Sequence, residues 1–154
     1  MHGGTAITMK QSTSDIKDKG PFKAHGKADY EVKGRVVYVQ AVGPFNAELV
    51  PVISQTIAKL IGLLAQSGNW AQIVTFHNSA MGSPVAVGEF AVSLHARYTN
   101  PATNPVVALV LRPEVEGAGI MSPVIRKCYA DAGVECNAFT RLEDAQQWVD
   151  ALLA

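Results

Sequence analysis

The chain has 154 residues, a formal net charge of zero, 48% hydrophobic residues and 17% charged residues. This length and composition predict a single globular domain that buries a core of its own. The charge balance argues against a nucleic-acid-binding or anionic-membrane surface, because either would need a basic excess. The two cysteines, Cys128 and Cys136, form no zinc-binding motif. Two free thiols suit a reducing cytoplasm.

Residues 1–27 are rich in Gly, Ser, Thr, Lys and Asp, and this composition predicts a flexible N-terminal tail or an expression remnant. The folded domain is predicted to span residues 28–154. It opens with the alternating residues 28–32, which are typical of a half-exposed edge strand. Residues 35–42 are almost continuously apolar, which is typical of a strand covered on both faces. The short link between the two segments predicts an antiparallel hairpin.

A long helix is predicted to begin at Asn46, a candidate N-cap, and to be ended by Ser67-Gly68-Asn69. Its apolar residues form one helical stripe, and polar residues interrupt the segment too often for a transmembrane span. The N-terminus has no apolar signal-peptide region. The sequence therefore predicts a cytoplasmic protein without a membrane span.

Residues 70–87 are the stretch around which the rest of the chain is organised. Residues 73–76 are β-branched or aromatic and predict a buried strand. Turn residues follow, and Ser83-Pro84 predicts a helix start, with a hydroxyl N-cap before a proline at the first helical position. Open α/β sheets place ligands at loops that follow the carboxyl ends of strands. The predicted site is therefore at residues 77–83.

The residues after this loop complete an alternation of helices and strands. A helix over residues 84–98 is predicted to be buried on more than one side, because its apolar residues are numerous. A buried strand is predicted at residues 106–111, and a helix that begins after Ser122-Pro123 is predicted at residues 123–132. A strand at residues 134–139 follows, and a Thr140–Glu143 capping box opens the last helix. The last helix is predicted to bury Leu142, Ala145, Trp148, Val149 and Leu152.

The resulting order, β-β-α-β-α-β-α-β-α, predicts a single-domain α/β fold with a mostly parallel sheet and an antiparallel edge strand. Three segments carry a resemblance to a known family, namely residues 36–45, residues 70–76, and residues 134–152 with Phe139, Glu143, Ala145 and Trp148. Over residues 28–153 the chain resembles the STAS family, the anti-sigma-factor antagonist domains also found on sulfate transporters. The most similar branch is the bacterial SpoIIAA-like proteins.

This resemblance implies a regulatory module that binds a protein partner and is not an enzyme. In signalling members of the family, a partner kinase phosphorylates a serine at the start of the helix after the third strand. Ser79 and Ser83 occupy that region here and are the candidate phosphosites. The family's loop carries an Asp-Ser pair, whereas this chain has His77-Asn78-Ser79 without the acid.

The residues of the loop also permit other functions. Ser83 is predicted to cap the helix, and Ser79 is predicted to be the more accessible of the two serines. The candidate partner- or ligand-binding residues are His77, Asn78, Ser79, Met81 and Ser83. One alternative is a small-ligand or lipid pocket beneath residues 81–90. A less favoured alternative is a hydrolase that uses His77 and Ser79, although no acidic residue lies between Glu48 and Glu89, so an orienting acid would have to come from elsewhere in the fold.

No motif for a metal, a cofactor or a catalytic serine elbow is present in the sequence. The sequence therefore predicts no cofactor, no metal and no nucleic-acid partner. It predicts a protein partner whose identity it does not specify, and it is compatible with a homodimer.

Overall fold

A computed structural model describes residues 8–15, 24–66 and 68–154. Within them, one six-stranded sheet has its strands side by side in chain order. The strands are β1 (Thr8–Ser12), β2 (Lys27–Lys33), β3 (Val36–Val42), β4 (Ala71–His77), β5 (Val106–Val110) and β6 (Glu135–Phe139). The β1–β2 and β2–β3 pairs are antiparallel, and β3 through β6 pair in parallel. This confirms the predicted α/β fold with a mostly parallel sheet and an antiparallel edge.

Four helices cover the two faces of the sheet unequally. They are α1 (Leu49–Gln66), α2 (Pro84–Arg97), α3 (Ala118–Asp131) and α4 (Leu142–Leu153). Helices α1, α2 and α3 contribute to one core cluster on one face, whereas α4 packs on the other face over β4, β5 and β6. Parallel strands that advance in one direction place their crossover helices on the same face when every crossover has the same hand. Because α4 follows the last strand, it is left to cover the opposite face.

The core follows the alternation of side chains along the central strands. Val37, Val39, Val74, Val107 and Leu109 face the three-helix side, and Ala71, Ile73, Ala108 and Val110 face α4. Trp70, immediately before β4, is only 1% exposed. Its Nε1 donates to the carbonyl oxygen of Thr103 at 2.8 Å, so the polar atom of this large ring is satisfied.

An additional strand lies within the predicted N-terminal tail. Residues 8–12 form β1 at the edge of the sheet, and a 3-10 turn follows at Thr13–Asp15. The buried Thr13 accepts a hydrogen bond at Oγ1 from the Ala28 backbone at 3.0 Å. The described part of the chain therefore has six strands where the sequence predicted five. Residues 1–7 and 16–23 of the predicted tail lie outside the described residues.

Helix α2 differs from its prediction. Only Ala86 and Leu94 are buried, and Val85 and Val92 point into solvent. The prediction of a helix buried on more than one side is wrong, because α2 lies on the outside of the sheet between α1 and α3. Helix α2 therefore has more apolar residues than it buries in the fold.

The starts of α3 and α4 also differ from the sequence prediction. Helix α3 begins at Ala118, because the Met121 amide already bonds the Gly117 carbonyl at 2.8 Å, and Pro123 lies inside it. Arg141 occupies the cap position of α4 without a side-chain cap bond, so the predicted capping box is not formed. Ala145 and Val149 are fully buried, Trp148 is half-buried, and Leu142 and Leu152 are exposed.

Among the described helices, α1 alone is long and apolar enough to cross a membrane by length and composition. Seven of its residues are buried in the fold, including Ile57, Leu60 and Leu64 against the sheet. Packing of this stripe on the sheet accounts for the apolar composition of the helix.

Candidate functional site

The predicted site follows the carboxyl end of a central strand. β4 lies between β3 and β5 and ends at His77. The loop of residues 78–83 leads directly into α2, which begins at Pro84. The strand, loop and helix start predicted for this stretch are therefore confirmed.

The loop is held against the end of β3 at a glycine. Asn78 adopts a left-handed conformation with a φ of 67°, which asparagine tolerates better than most residues. Its Nδ2 donates to the carbonyl oxygen of Gly43 at 2.6 Å, and the Gly43 amide donates to the His77 carbonyl at 3.3 Å. A Cβ on Gly43 would meet the carbonyl oxygen of Ser79. Only glycine allows the loop to approach this closely.

The buried Ser79 is held by hydrogen bonds to Glu116 and Met81. It is 2% exposed, and its Oγ donates to Oε1 of Glu116 at 2.7 Å. The Met81 amide donates to the same Oγ at 3.1 Å. The backbone joins the two segments as well, since the Ala80 amide bonds the Glu116 carbonyl at 2.8 Å. The prediction that Ser79 is the more accessible serine is therefore wrong, because Ser83 is exposed and Ser79 is not.

Glu116 is the functional-site residue that sequence reasoning missed. It lies in the segment between β5 and α3, at the same edge of the sheet as the loop. Sequence spacing gave one indirect signal, because an acid near Ser79 had to come from another part of the chain. The structure supplies it from 37 positions away.

His77 and Ser79 do not form a catalytic pair in this structure. The half-buried His77 donates from Nε2 to Oε1 of Gln40 at 2.5 Å. The Ser79 hydroxyl proton is directed to Glu116 instead of His77. A serine nucleophile needs its hydroxyl proton within reach of the base, and here that proton is directed to a carboxylate.

Ser83 and Met81 serve the junction between the loop and α2. Ser83 accepts a hydrogen bond at Oγ from the Ala86 amide at 3.1 Å and precedes Pro84, so the predicted N-cap is confirmed. The Met81 carbonyl accepts from the Phe45 amide at 2.8 Å. The half-buried Met81 side chain lies where a side chain on Gly117 would otherwise be. Of the five predicted site residues, Ser83 and Asn78 are the exposed ones.

A second feature lies behind the loop, between the sheet and helices α1 to α3. It is a cavity of about 120 Å³ with mostly aliphatic and aromatic walls. Gly82, Ala86, Val87 and Phe90 contribute to its lining. The predicted pocket beneath residues 81–90 therefore has a counterpart, although Met81 does not line it.

Polar groups from distant parts of the chain converge on this cavity. Tyr30 and Tyr129 line the cavity, and Tyr98 contacts Gln72 and Arg97, which also line it. These three tyrosines, hereafter the tyrosine cluster, are each 5% exposed. Burial raises the pKa of all three phenols, and the nearby Arg97 guanidinium partly offsets the increase. Gln72 donates from Nε2 to the Tyr98 hydroxyl at 2.7 Å. Sequence reasoning found none of these residues, because they are far apart along the chain.

Within the described residues, no group of three or more His, Cys, Asp or Glu side chains could hold a metal ion. Comparisons of the chain with protein-family models, curated proteins and solved structures return no match. The site therefore has to be interpreted from its own geometry.

Proposed function

We propose that the protein is a non-catalytic binding module that engages a protein partner through the loop and helix start at residues 77–90 and the outer face of α2. The observation that carries this proposal is the exposure of Val85 and Val92, at 61% and 69%. Seven residues are about two helical turns, so both valines point to the same side of α2. Isolated apolar residues are common on protein surfaces, but aligned ones on a lightly buried helix favour an interface.

A third exposed apolar side chain lies on the neighbouring helix α3. Ile120, at the start of α3, is 68% exposed, and α3 packs directly beside α2. We name Val85, Val92 and Ile120 the apolar patch. A partner that covers it would remove about three branched aliphatic side chains from water, each worth roughly 1.5–3 kcal/mol when fully buried.

The charges around the apolar patch favour a partner with a basic rim. Glu89 on α2 and Glu114 and Glu116 before α3 are exposed acids. No Lys or Arg occurs between Lys59 and Arg97. Complementary charges raise association rates and select the partner more than they increase affinity. The proposed occupant is therefore a protein surface with an apolar centre and surrounding basic groups.

The geometry of the loop also supports a non-catalytic role. The Ser79 hydroxyl is committed to Glu116, and His77 is committed to Gln40. A rigid loop reduces the ordering entropy lost on association. The STAS-type assignment itself rests on the sequence resemblance, in which Ser83 occupies the region of the regulatory serine.

The test compares Val92→Lys with Leu142→Lys, a matched change at a 46% exposed leucine on the opposite face. Partners captured from the native cell by cross-linking would be purified and titrated against each variant. We expect Val92→Lys to weaken binding at least about ten-fold, because a lysine would be desolvated in the interface. Leu142→Lys should bind like the wild type. Equal binding by all three proteins would contradict the proposal, and loss of a self-associated species in light scattering would identify a second copy as the occupant.

A second candidate function is small-ligand binding, and the cavity behind α2 favours it. On α2, Val85 and Val92 point into solvent, whereas Ala86, Val87 and Phe90 line the cavity. The two functions are therefore separable by mutation.

A further inference from the structure

The size of the cavity restricts what it could hold. Its volume is about 120 Å³, and an apolar cavity of about 150 Å³ accommodates a benzene ring. A ligand that fills it therefore has an apolar body of at most about six carbons. A full-length lipid chain is too large for this space.

The cavity walls are apolar from several directions. Val39, Val74 and Leu109 form the sheet side, and Leu49 and Ile57 contribute from α1. Such walls exclude a ligand whose charge is spread over its whole surface, because no polar groups would replace its hydration.

Unpaired donors are gathered at this otherwise apolar cavity. Tyr30 and Tyr129 line it, and their hydroxyls have no hydrogen-bond partner among the described residues. Buried hydroxyls nearly always find a partner, because an unpaired one costs free energy. Both phenols remain protonated, since burial raises the pKa of each. They are therefore donors without an acceptor.

Arg97 adds a positive charge, and further hydrogen-bond donors, to the two tyrosine hydroxyls. Arg97 lines the cavity, and its guanidinium donates to Oγ of Ser54 at 3.1 Å. The guanidinium also lies 5.5 Å from the centre of the Tyr98 ring and close enough to hydrogen-bond the Tyr98 hydroxyl. Arg97 takes part in none of the ion pairs found within residues 8–15, 24–66 and 68–154. A guanidinium has five N–H donors, so most of them are left for an occupant.

We propose that the cavity binds a small amphipathic carboxylate, with an apolar body of about six carbons and a carboxylate held by Arg97, Tyr30 and Tyr129. A carboxylate supplies the acceptors that these donors lack, and a single guanidinium matches its single charge. A phosphate dianion would bring more charge than one arginine balances. This inference rests on ligand binding, the second candidate function, and is independent of the partner surface.

The test titrates the full-length purified protein with hexanoate and benzoate, and follows binding by calorimetry and by the melting temperature. Acetate lacks the apolar body, hexan-1-ol lacks the charge, and dodecanoate exceeds the cavity. We expect saturable binding of the first two acids only. Arg97→Met, which keeps the aliphatic stem, should weaken hexanoate binding about ten-fold or more. Arg126→Met, at an exposed arginine of α3, is the matched control and should leave binding unchanged.

Tyr30→Phe and Tyr129→Phe keep the ring and remove only the hydroxyl, so each should weaken hexanoate binding several-fold even if Arg97→Met fails to fold. Unchanged hexanoate binding in both phenylalanine variants would overturn the proposal. Equal affinity for hexan-1-ol and hexanoate would overturn the carboxylate assignment while ligand binding stands. If hexanoate, benzoate, hexan-1-ol and benzene all fail to bind, ligand binding in the cavity fails as well.

Discussion

Gly43→Ala tests the close approach on which the candidate site is built. The added methyl would stand against the carbonyl oxygen of Ser79, with the Phe45 ring at 2.8 Å. A backbone oxygen cannot rotate away as a side chain can. Relief therefore requires the loop of residues 78–83 to move off the end of β3.

The expected cost follows from what that movement disrupts. Overpacking a rigid site costs about 1–3 kcal/mol. Displacement of the loop would also strain the Asn78–Gly43 hydrogen bond, which is worth about 1 kcal/mol. We expect Gly43→Ala to lower the free energy of unfolding by about 3 kcal/mol or more, a large part of the 5–15 kcal/mol typical of a domain.

The assay is urea denaturation, with Gly62→Ala as the control. Gly62 is an exposed residue of α1, and a Cβ there would meet nothing within 4 Å. The same substitution should stabilise the protein at that position by about 0.8–1 kcal/mol, because alanine is the better helix former. A loss below about 1 kcal/mol for Gly43→Ala would refute the close approach.

Three further predictions concern pH, packing and charge. Burial raises the pKa of every member of the tyrosine cluster, so the folded state binds more protons than the unfolded state above pH ~10. Unfolding free energy should therefore fall as pH rises from about 10 to 11, by up to about 1.4 kcal/mol per tyrosine, and a flat urea profile between these values would contradict it. In the same assay, Trp148→Ala should lower the free energy of unfolding by about 2 kcal/mol, because the Trp148 ring is half-buried. Trp70→Ala should lower it by about 3–5 kcal/mol, because Trp70 is 1% exposed. Equal losses for the two variants would refute this packing. Ser79→Asp should lower the free energy of unfolding by about 3 kcal/mol or more, since it places a carboxylate at a buried position against Glu116. Ser83→Asp should stay within about 0.5 kcal/mol of the wild type, because aspartate is also a good cap. A thermal melt in which Ser79→Asp is the milder change would contradict the burial assigned to the two serines.

The central strands and the α2 start could be predicted because their signals are local. Residues 106–110 are continuously apolar, and such a run has few alternatives to a buried strand. β1 gave no such signal, because four of its five residues are polar; it joins the sheet through backbone pairing, with Met9 as its core contact. Whether this segment becomes a strand depends on its pairing with β2, and its own composition does not determine that pairing.

Burial on α2 was mispredicted although the pattern held some information. The inward positions Ala86, Phe90 and Leu94 are spaced by four residues, and Val85 and Val92 lie off that row. Counting apolar residues without testing their spacing hid the difference. The tyrosine cluster left no local signal at all, because sheet order and helix packing bring together residues 30, 98 and 129.

The Ser79–Glu116 contact changes what the STAS-type resemblance would mean for this chain. An acid that the loop sequence lacks is supplied by Glu116, in the segment before α3, which accepts a hydrogen bond from the buried Ser79 hydroxyl. A kinase would have to open this network to reach Ser79, and the phosphate would then face a carboxylate. Ser83 has neither obstacle, because it is exposed at the N-terminus of α2, where the helix dipole stabilises negative charge. A phosphate on Ser83 would lie two residues from Val85 and add negative charge to the acidic residues around the apolar patch. Charge regulation at this loop should therefore act through Ser83 and strengthen attraction to a basic partner.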